Sequence, residues 1–222
     1  MQRSNQLLAV FDLDGTLLDT IGDLAASCNA MLRSRSLAEH TLADYRHFVG
    51  NGITRLVERA LPEELRTSDY IASARRDFMA YYIEHLDHYT QPYDGIGELL
   101  SALSARGVRL AVASNKFDAA TKSLVGRFFP DICFEAVWGN RDGFPLKPDA
   151  AILHQIMEES GTTPDHCYMI GDSGVDMQTA HAAGAHSIGV EWGFRSREEL
   201  VEHRAEHIVS SPEEVLSIIV AG

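Results

Sequence analysis

The sequence predicts an α/β protein: a doubly wound parallel sheet carrying a small, inserted, all-helical unit. Three observations predict it. From about residue 96 onward, short apolar runs alternate with stretches of helical spacing, which is the rhythm of parallel strand–helix units. One further apolar run, Leu7–Phe11, stands apart near the start of the chain. Between the two, residues 21–88 show helical spacing only.

Taken in order, residues 6–12 are a short run containing β-branched and aromatic residues without helical spacing, and form a buried strand. Ile21, Leu24, Ala25, Cys28, Met31 and Leu32 recur as one helix face, with Asp19 or Thr20 placed to cap it. Gly50 and Gly52 mark a turn from which Asn51 starts a helix through Ala60, and a longer helix begins at Thr67 or Ser68. After "QPYDG", Ile96, Leu99, Leu100 and Leu103 line a helix that Gly107 ends. Strand "VRLAVASN", helix "FDAATKSLVGRF" and strand "FEAVWG" follow. Helix "KPDAAILHQIMEES" has Pro148 in its first turn and Gly161 after its end. Then come strand "CYMIGDS", helix "VDMQTAHAAG" stopped at Gly184, strand "AHSIGV", and helix "SREELVEH" opened by a Ser-x-x-Glu box at Ser196. Strand "HIVS" and helix "SPEEVLSIIV" close the chain. A Rossmann-like core from 1–20 and 89–222, interrupted by a helical domain at 21–88, accounts for this order. The 222 residues, 45% hydrophobic, suffice for two such units, and there is no internal repeat or low-complexity linker.

A net charge of −13 does not favour nucleic acid or anionic membrane as partners, so an anionic substrate must meet local positive charge or a metal. Cys28, Cys133 and Cys167 are odd in number and widely spaced, which argues against a disulfide framework or zinc site and for a reduced, cytoplasmic protein. Cys133 and Cys167 lie in apolar runs and are expected in the core. "MQRSNQLLAVFDLDG" is too short and too soon charged for a signal peptide, and no other run is long enough to span a membrane.

Ligands of such sheets sit at the carboxyl ends of the strands, and four strands here lead into polar residues. The first ends at Asp12 and Asp14, the second at Ser114 and Asn115, and the third leads to a loop carrying Lys147. The fourth ends at Asp172, with Asp176 four residues on. Any one of these alone is an ordinary turn or cap; all four on one edge are not. Asp12, Asp14, Asp172 and Asp176 would repel one another if gathered bare. A hard cation resolves that, and Mg2+ suits oxygen donors and phosphate chemistry. Lys147 and Ser114, with Asn115 beside it, suit phosphate oxygens, while Gly15 and Gly171 allow close backbone approach. Asp12 is then placed as a nucleophile forming an aspartyl-phosphate, and Asp14, two residues on, as the acid and base of the two half-reactions.

"DLDGT" at Asp12–Thr16, "SN" at Ser114–Asn115, Lys147 in "LKPD" and "GDSGVD" at Gly171–Asp176 resemble the four ordered motifs of the haloacid dehalogenase-like superfamily. The resemblance spans nearly the whole chain. It implies Asp12 as nucleophile, Asp14 as acid–base residue, and Ser114 and Lys147 on phosphate. Mg2+ would be held by Asp12, the main-chain carbonyl of Asp14, and Asp172, with Asp176 supporting the metal shell or orienting Lys147. Dehalogenases of the superfamily lack an aspartate matching Asp14, which points to phosphoryl transfer. The helical insert is similar to the small cap of one branch. "VGNGITRLVERAL", "ASNK" and "AGAHSIGVEWGFRS" are most similar to phosphoglycolate phosphatases. Ala150 departs from a proline frequent in the family, which bears on helix entry and not on chemistry.

The expected activity is therefore Mg2+-dependent hydrolysis of a small phosphorylated metabolite, 2-phosphoglycolate first, by a monomer or homodimer. The alternatives are a sugar-phosphate mutase similar to β-phosphoglucomutase, a pyrophosphatase or nucleotidase, and a non-catalytic module that binds a phospho-ligand. Asn51 and Arg55 are candidates for specificity against a solvated role, and Lys116 for a substrate carboxylate against a surface role. The ten histidines are expected on surfaces or polar helix faces, and Tyr81–Tyr82 in packing. Trp192 and Phe194 line the mouth of the site or pack behind it.

Overall fold

The computed structural model describes residues 6–221; the first five residues of the expected core segment, and Gly222, lie outside them. The strands are β1 (Leu8–Phe11), β2 (Leu18–Asp19), β3 (Gln91–Pro92), β4 (Arg109–Phe117), β5 (Ala136–Asn140), β6 (Cys167–Gly171), β7 (His186–Val190) and β8 (His207–Val209). The helices are α1 (Ile21–Ser34), α2 (Leu42–Phe48), α3 (Gly52–Ala60), α4 (Ser68–Glu84), α5 (Ile96–Ala105), α6 (Asp118–Phe128), α7 (Ala151–Ser160), α8 (Gly174–Ala183), α9 (Arg197–Glu202) and α10 (Pro212–Ala221).

Six strands form one parallel sheet in the order β5-β4-β1-β6-β7-β8, the doubly wound α/β fold expected from the sequence. β1 is central and wholly buried, with Leu8 opposite both Arg109 and Cys167. Alternate side chains of a strand face opposite layers. Ala9 and Phe11 pack with Leu99, Leu100, Val215 and Ile219 of α5 and α10 on one side. Leu8 and Val10 pack with Ile152, Leu153, Ile156 and Ala180 of α7 and α8 on the other. Helices on both faces explain why the strands read as continuous apolar runs.

The four helices α1–α4 lie between β2 and β3, which pair antiparallel with each other. They share a hydrophobic cluster of their own, in which Ile21, Leu24, Cys28, Met31 and Leu32 of α1 meet Leu56, Val57, Ala74, Phe78 and Tyr82.

Several expectations need correction. Helix α7 starts at Ala151, so Pro148 lies before it; the Lys147–Pro148 peptide is cis, and Asp149 Oδ1 accepts the Ala151 N–H at 2.8 Å. Of the two residues placed to cap α1, Thr20 makes no side-chain cap bond, because its hydroxyl donates to Asp14, while Asp19 Oδ1 accepts from Ile21 N–H at 3.3 Å. Cys133 is exposed: it stands between half-buried Ile132 and Phe134, and alternation along extended chain turns it outward. Of the Ser196 box only the hydroxyl half forms, since the Glu199 carboxylate accepts from Gly174 N–H at 3.0 Å. No helix among the described residues is long and apolar enough to cross a membrane.

Candidate active site

The sheet order β4-β1-β6 sets three adjacent strand ends side by side. Each ends because its apolar run gives way to polar residues. Asp12 and Asp14 follow β1, Ser114–Lys116 close β4, and Asp172 follows β6. The β4–β5 register slips between Ala113 and Phe117, so the edge bends where Ser114, Asn115 and Lys116 stand. Lys147 reaches the same rim from the loop after β5. Its Nζ lies 3.0 Å from Asp12 Oδ1 and 2.6 Å from Asp176 Oδ1. Four motifs spread over 165 residues of the sequence thus converge on one rim, as the sequence predicted.

One carboxylate oxygen from each of Asp12, Asp172 and Asp176 lies within 4.8 Å of the others. Asp176 occupies the first turn of α8; its Oδ2 accepts from the Ser173 hydroxyl at 2.7 Å and from Ser173 N–H at 3.2 Å. Asp172 Oδ2 accepts from Phe194 N–H at 2.7 Å. The main chain crowds these groups: a Cβ at Gly15, whose φ is +86°, would strike the Asp172 carboxylate, and one at Gly171 would strike Asp176.

The electrostatics follow from burial. The Asp12 carboxyl is pushed up to about 7, chiefly by removal from water, with Asp176 and Asp14 adding to the rise and Lys147 opposing it. Burial likewise raises Asp172 well above the usual carboxylate range, reinforced by Asp176 and Asp12. Burial opposes the charge on Lys147, but Asp12 and Asp176 outweigh it and raise its pKa. The single ammonium therefore does not balance the three acids. An all-oxygen donor set whose carboxyl groups resist ionising together without a counter-charge fits a hard divalent cation, and Mg2+ meets that description.

Asp14 belongs to a separate pair. Its Oδ1 accepts from Thr20 Oγ1 at 2.8 Å, and Lys116 Nζ lies 2.8 and 3.2 Å from its two oxygens. Lys116 is only 4% exposed, which excludes the surface role, and its ammonium stands 5.1 Å from the centre of the Tyr82 ring. Burial works against that charge, yet Asp14 and Tyr82 hold its pKa above the usual lysine range. Asp12, Asp14, Ser114, Asn115, Lys116 and Asp172 line one pocket, roofed by Leu24, Val49, Ile53 and Leu56 of the helical insert.

The remaining candidates divide between the pocket and its surroundings. The Asn115 carboxamide is committed to the main chain: Oδ1 accepts from Lys147 N–H at 2.9 Å, and Nδ2 donates to Lys147 O at 3.0 Å and Gly50 O at 3.3 Å. It positions the Lys147 loop rather than presenting its amide to a phosphate. Arg55 points away from the pocket, with 63% of its side chain exposed and an ion pair to Glu58, because α3 turns Ile53 and Leu56 inward. Asn51 accepts from Arg59 Nη2 at 2.8 Å and does not line the pocket. Tyr82 is buried in packing, and Tyr81 stacks on His85. Trp192 packs behind the site, donating to Thr16 O, whereas Phe194 lines it. Arg195 lines the pocket as well and was missed; in sequence it is one more charge beside a capping serine.

Comparison with known proteins agrees with this geometry. Residues 9–190 match the family described as haloacid dehalogenase-like hydrolase. A phosphoglycolate phosphatase of Nitrosospira multiformis is 35% identical over 214 residues, covering 95% of this chain and 94% of the relative. One of Mesorhizobium japonicum is 33% identical over 193 residues, covering 86% and 85%. A crystal structure from Lactobacillus delbrueckii subsp. bulgaricus, of a protein proposed to be a phosphoglycolate phosphatase, superimposes with a TM-score of 0.91 at 32% identity, covering 97% of this chain and 98% of that one. The chain is therefore an enzyme that belongs to the haloacid dehalogenase-like hydrolase family, where it is phosphoglycolate phosphatase-like.

Proposed function

We propose that this hydrolase is a Mg2+-dependent phosphatase of small phosphorylated metabolites, with 2-phosphoglycolate the first substrate to test. One observation carries the reading: Lys147 bridges Asp12 and Asp176 within a three-carboxylate cluster, while Asp14 is held apart by Thr20 and Lys116. Two carboxylates two residues apart in sequence are thereby given different partners, and so different tasks.

Asp12, Asp172, and the Asp14 main-chain carbonyl are the residues that would hold Mg2+, with Asp176 behind them orienting Lys147. The ion, when bound, supplies positive charge to the phosphoryl oxygens. Ser114 and Lys147 bind and orient the phosphate. An Asp12 oxygen attacks phosphorus as the ester P–O bond breaks, and Asp14 delivers a proton to the departing oxygen. Asp14 then takes a proton from the water that attacks the aspartyl-phosphate, and phosphate leaves with Asp12 restored.

Residues 21–88 act as a cap over a core of 1–20 and 89–222. The cap supplies apolar walls, so the charged groups of a small substrate meet the core, where Lys116 is placed for a leaving-group carboxylate. The similarity to phosphoglycolate phosphatases supports that choice. The test is phosphate release from a panel of phosphorylated metabolites ranked by kcat/KM, with an aryl phosphate included. Release from none of them would sink the proposal, and a top rank for a sugar phosphate would replace the substrate.

A further inference from the structure

Three consecutive core residues connect the carboxylate cluster to the helical insert. Gly193, Phe194 and Arg195 follow β7. The Phe194 N–H donates to Asp172 Oδ2, and Arg195 reaches the opposite way. Its Nη1 donates to Arg46 O at 2.5 Å, and its Nη2 to Val49 O at 2.6 Å. Those carbonyls lie in and just after the last turn of α2, where a helix leaves acceptors without partners of its own. A planar guanidinium matches such a pair, and its charge strengthens both bonds. Behind it, Glu199 Oε2 stands 3.5 Å from Arg195 Nε, while Oε1 accepts from Gly174 N–H at the start of α8, the helix that carries Asp176.

The insert departs from and returns to the core through the paired segments β2 and β3, and its hydrophobic cluster meets the core at Phe117 and Phe194. Its placement over the pocket depends also on what its edge touches. That edge, Val49 and Gly50, lines the pocket, and core side chains hold both carbonyls: Arg195 that of Val49, Asn115 that of Gly50.

We propose that Arg195 is a positioning residue that latches the insert shut over the active site, with Glu199 holding the guanidinium from behind. The latch deepens the phosphatase reading, and rests on it only where turnover is concerned. Its bonds to Arg46 O and Val49 O exist only while the insert is down. Losing them lowers the closed fraction, and apparent substrate affinity falls in proportion. The role is one of closure, since the guanidinium is spent on the insert's carbonyls.

The experiment compares wild type with Arg195→Gln and Arg195→Lys. Hydrogen exchange of peptides spanning residues 42–53 should quicken about tenfold in Arg195→Gln, with Arg195→Lys between, while exchange in β1 and β6 stays unchanged. KM for 2-phosphoglycolate should rise about tenfold with kcat altered less than about threefold, since bound substrate still draws the insert down. If Arg195→Gln does not fold, Glu199→Gln should show the same exchange pattern at smaller amplitude. Wild-type exchange at 42–53 in the folded variants overturns the latch. Absence of phosphate release by the wild type would instead overturn the phosphatase reading, and the exchange result would still decide the latch.

Discussion

Nζ of Lys116 lies 2.8 Å from Oδ1 of Asp14, across 102 residues of sequence and under the ring of Tyr82. The pair faces the same pocket as Asp12, so in the proposed reaction a cation stands beside the departing group. Lys116→Met should lower kcat/KM for 2-phosphoglycolate about 100-fold and for an aryl phosphate about tenfold or less, because only the former offers a second anion. Steady-state kinetics on both substrates checks this; equal losses would assign Lys116 to Asp14 alone.

Asp12→Asn should reduce turnover by about a thousandfold or more, since the carboxamide cannot form the acyl phosphate. Its effect on stability runs the other way. The Asp12 carboxyl is raised to about 7 in the fold, chiefly by burial, so the folded state favours its protonated form. That contribution is complete below the ordinary carboxylate pKa and is lost as pH rises through about 7. The variant in chelator should therefore melt no lower than wild type near pH ~8. A Tm several degrees lower would show that the Asp12 charge stabilises the fold.

Lys147→Met should be destabilising instead. Lys147 and Asp176 are buried and paired, and removing the ammonium strands two acids. Uncompensated buried charge typically costs about 3–5 kcal/mol, and less toward pH ~5, where Asp12, raised to about 7, is protonated. Urea unfolding in chelator at both pH values measures it, and a pH-independent loss would point to packing alone.

Metal binding should carry the same signature. A cation entering among Asp12, Asp172 and Asp176 must displace the protons that burial favours on Asp12 and Asp172. Mg2+ affinity should thus rise between about pH 6 and about pH 8, with net proton release, and chelation should abolish activity that added Mg2+ restores. Calorimetry in two buffers of different ionisation enthalpy counts the protons; a flat pH profile would argue against this cluster as the site.

The architecture, the three polar strand ends and the Lys147 loop were legible because they depend on local pattern: an apolar run, then polar residues at or after its carboxyl end. What stayed hidden depends on distant partners. Lys116 is buried by Tyr82, which arrives on α4 from earlier in the chain. Which way Arg55 and Asn51 face was not legible, because only the packing of Leu56, Val57 and Ala60 fixes how α3 is rotated. Arg195 and Glu199 follow local capping grammar, yet their bonds run to Val49 and Gly174. Ala150, a departure from the family pattern, stands immediately before α7.

Asp23 was hidden in the same way, and it yields the last prediction. An aspartate in the first turn of α1 looks like a helix-dipole partner. It is 1% exposed, however, and its carboxylate accepts from Tyr89 N–H, from Thr90 N–H at 2.8 Å and from Thr90 Oγ1 at 2.7 Å. It thus ties the first helix of the insert to the segment that leads back into the core. Asp23→Ala leaves two main-chain donors and a hydroxyl without this acceptor, at an expected cost of about 2–4 kcal/mol. Asp23→Asn retains one acceptor oxygen and should cost roughly half as much. Both should speed hydrogen exchange at residues 86–92 before the core sheet responds, since the insert's return path loosens first. Equal stability of the two variants, or unchanged exchange at 86–92, would show that the carboxylate does not hold this junction.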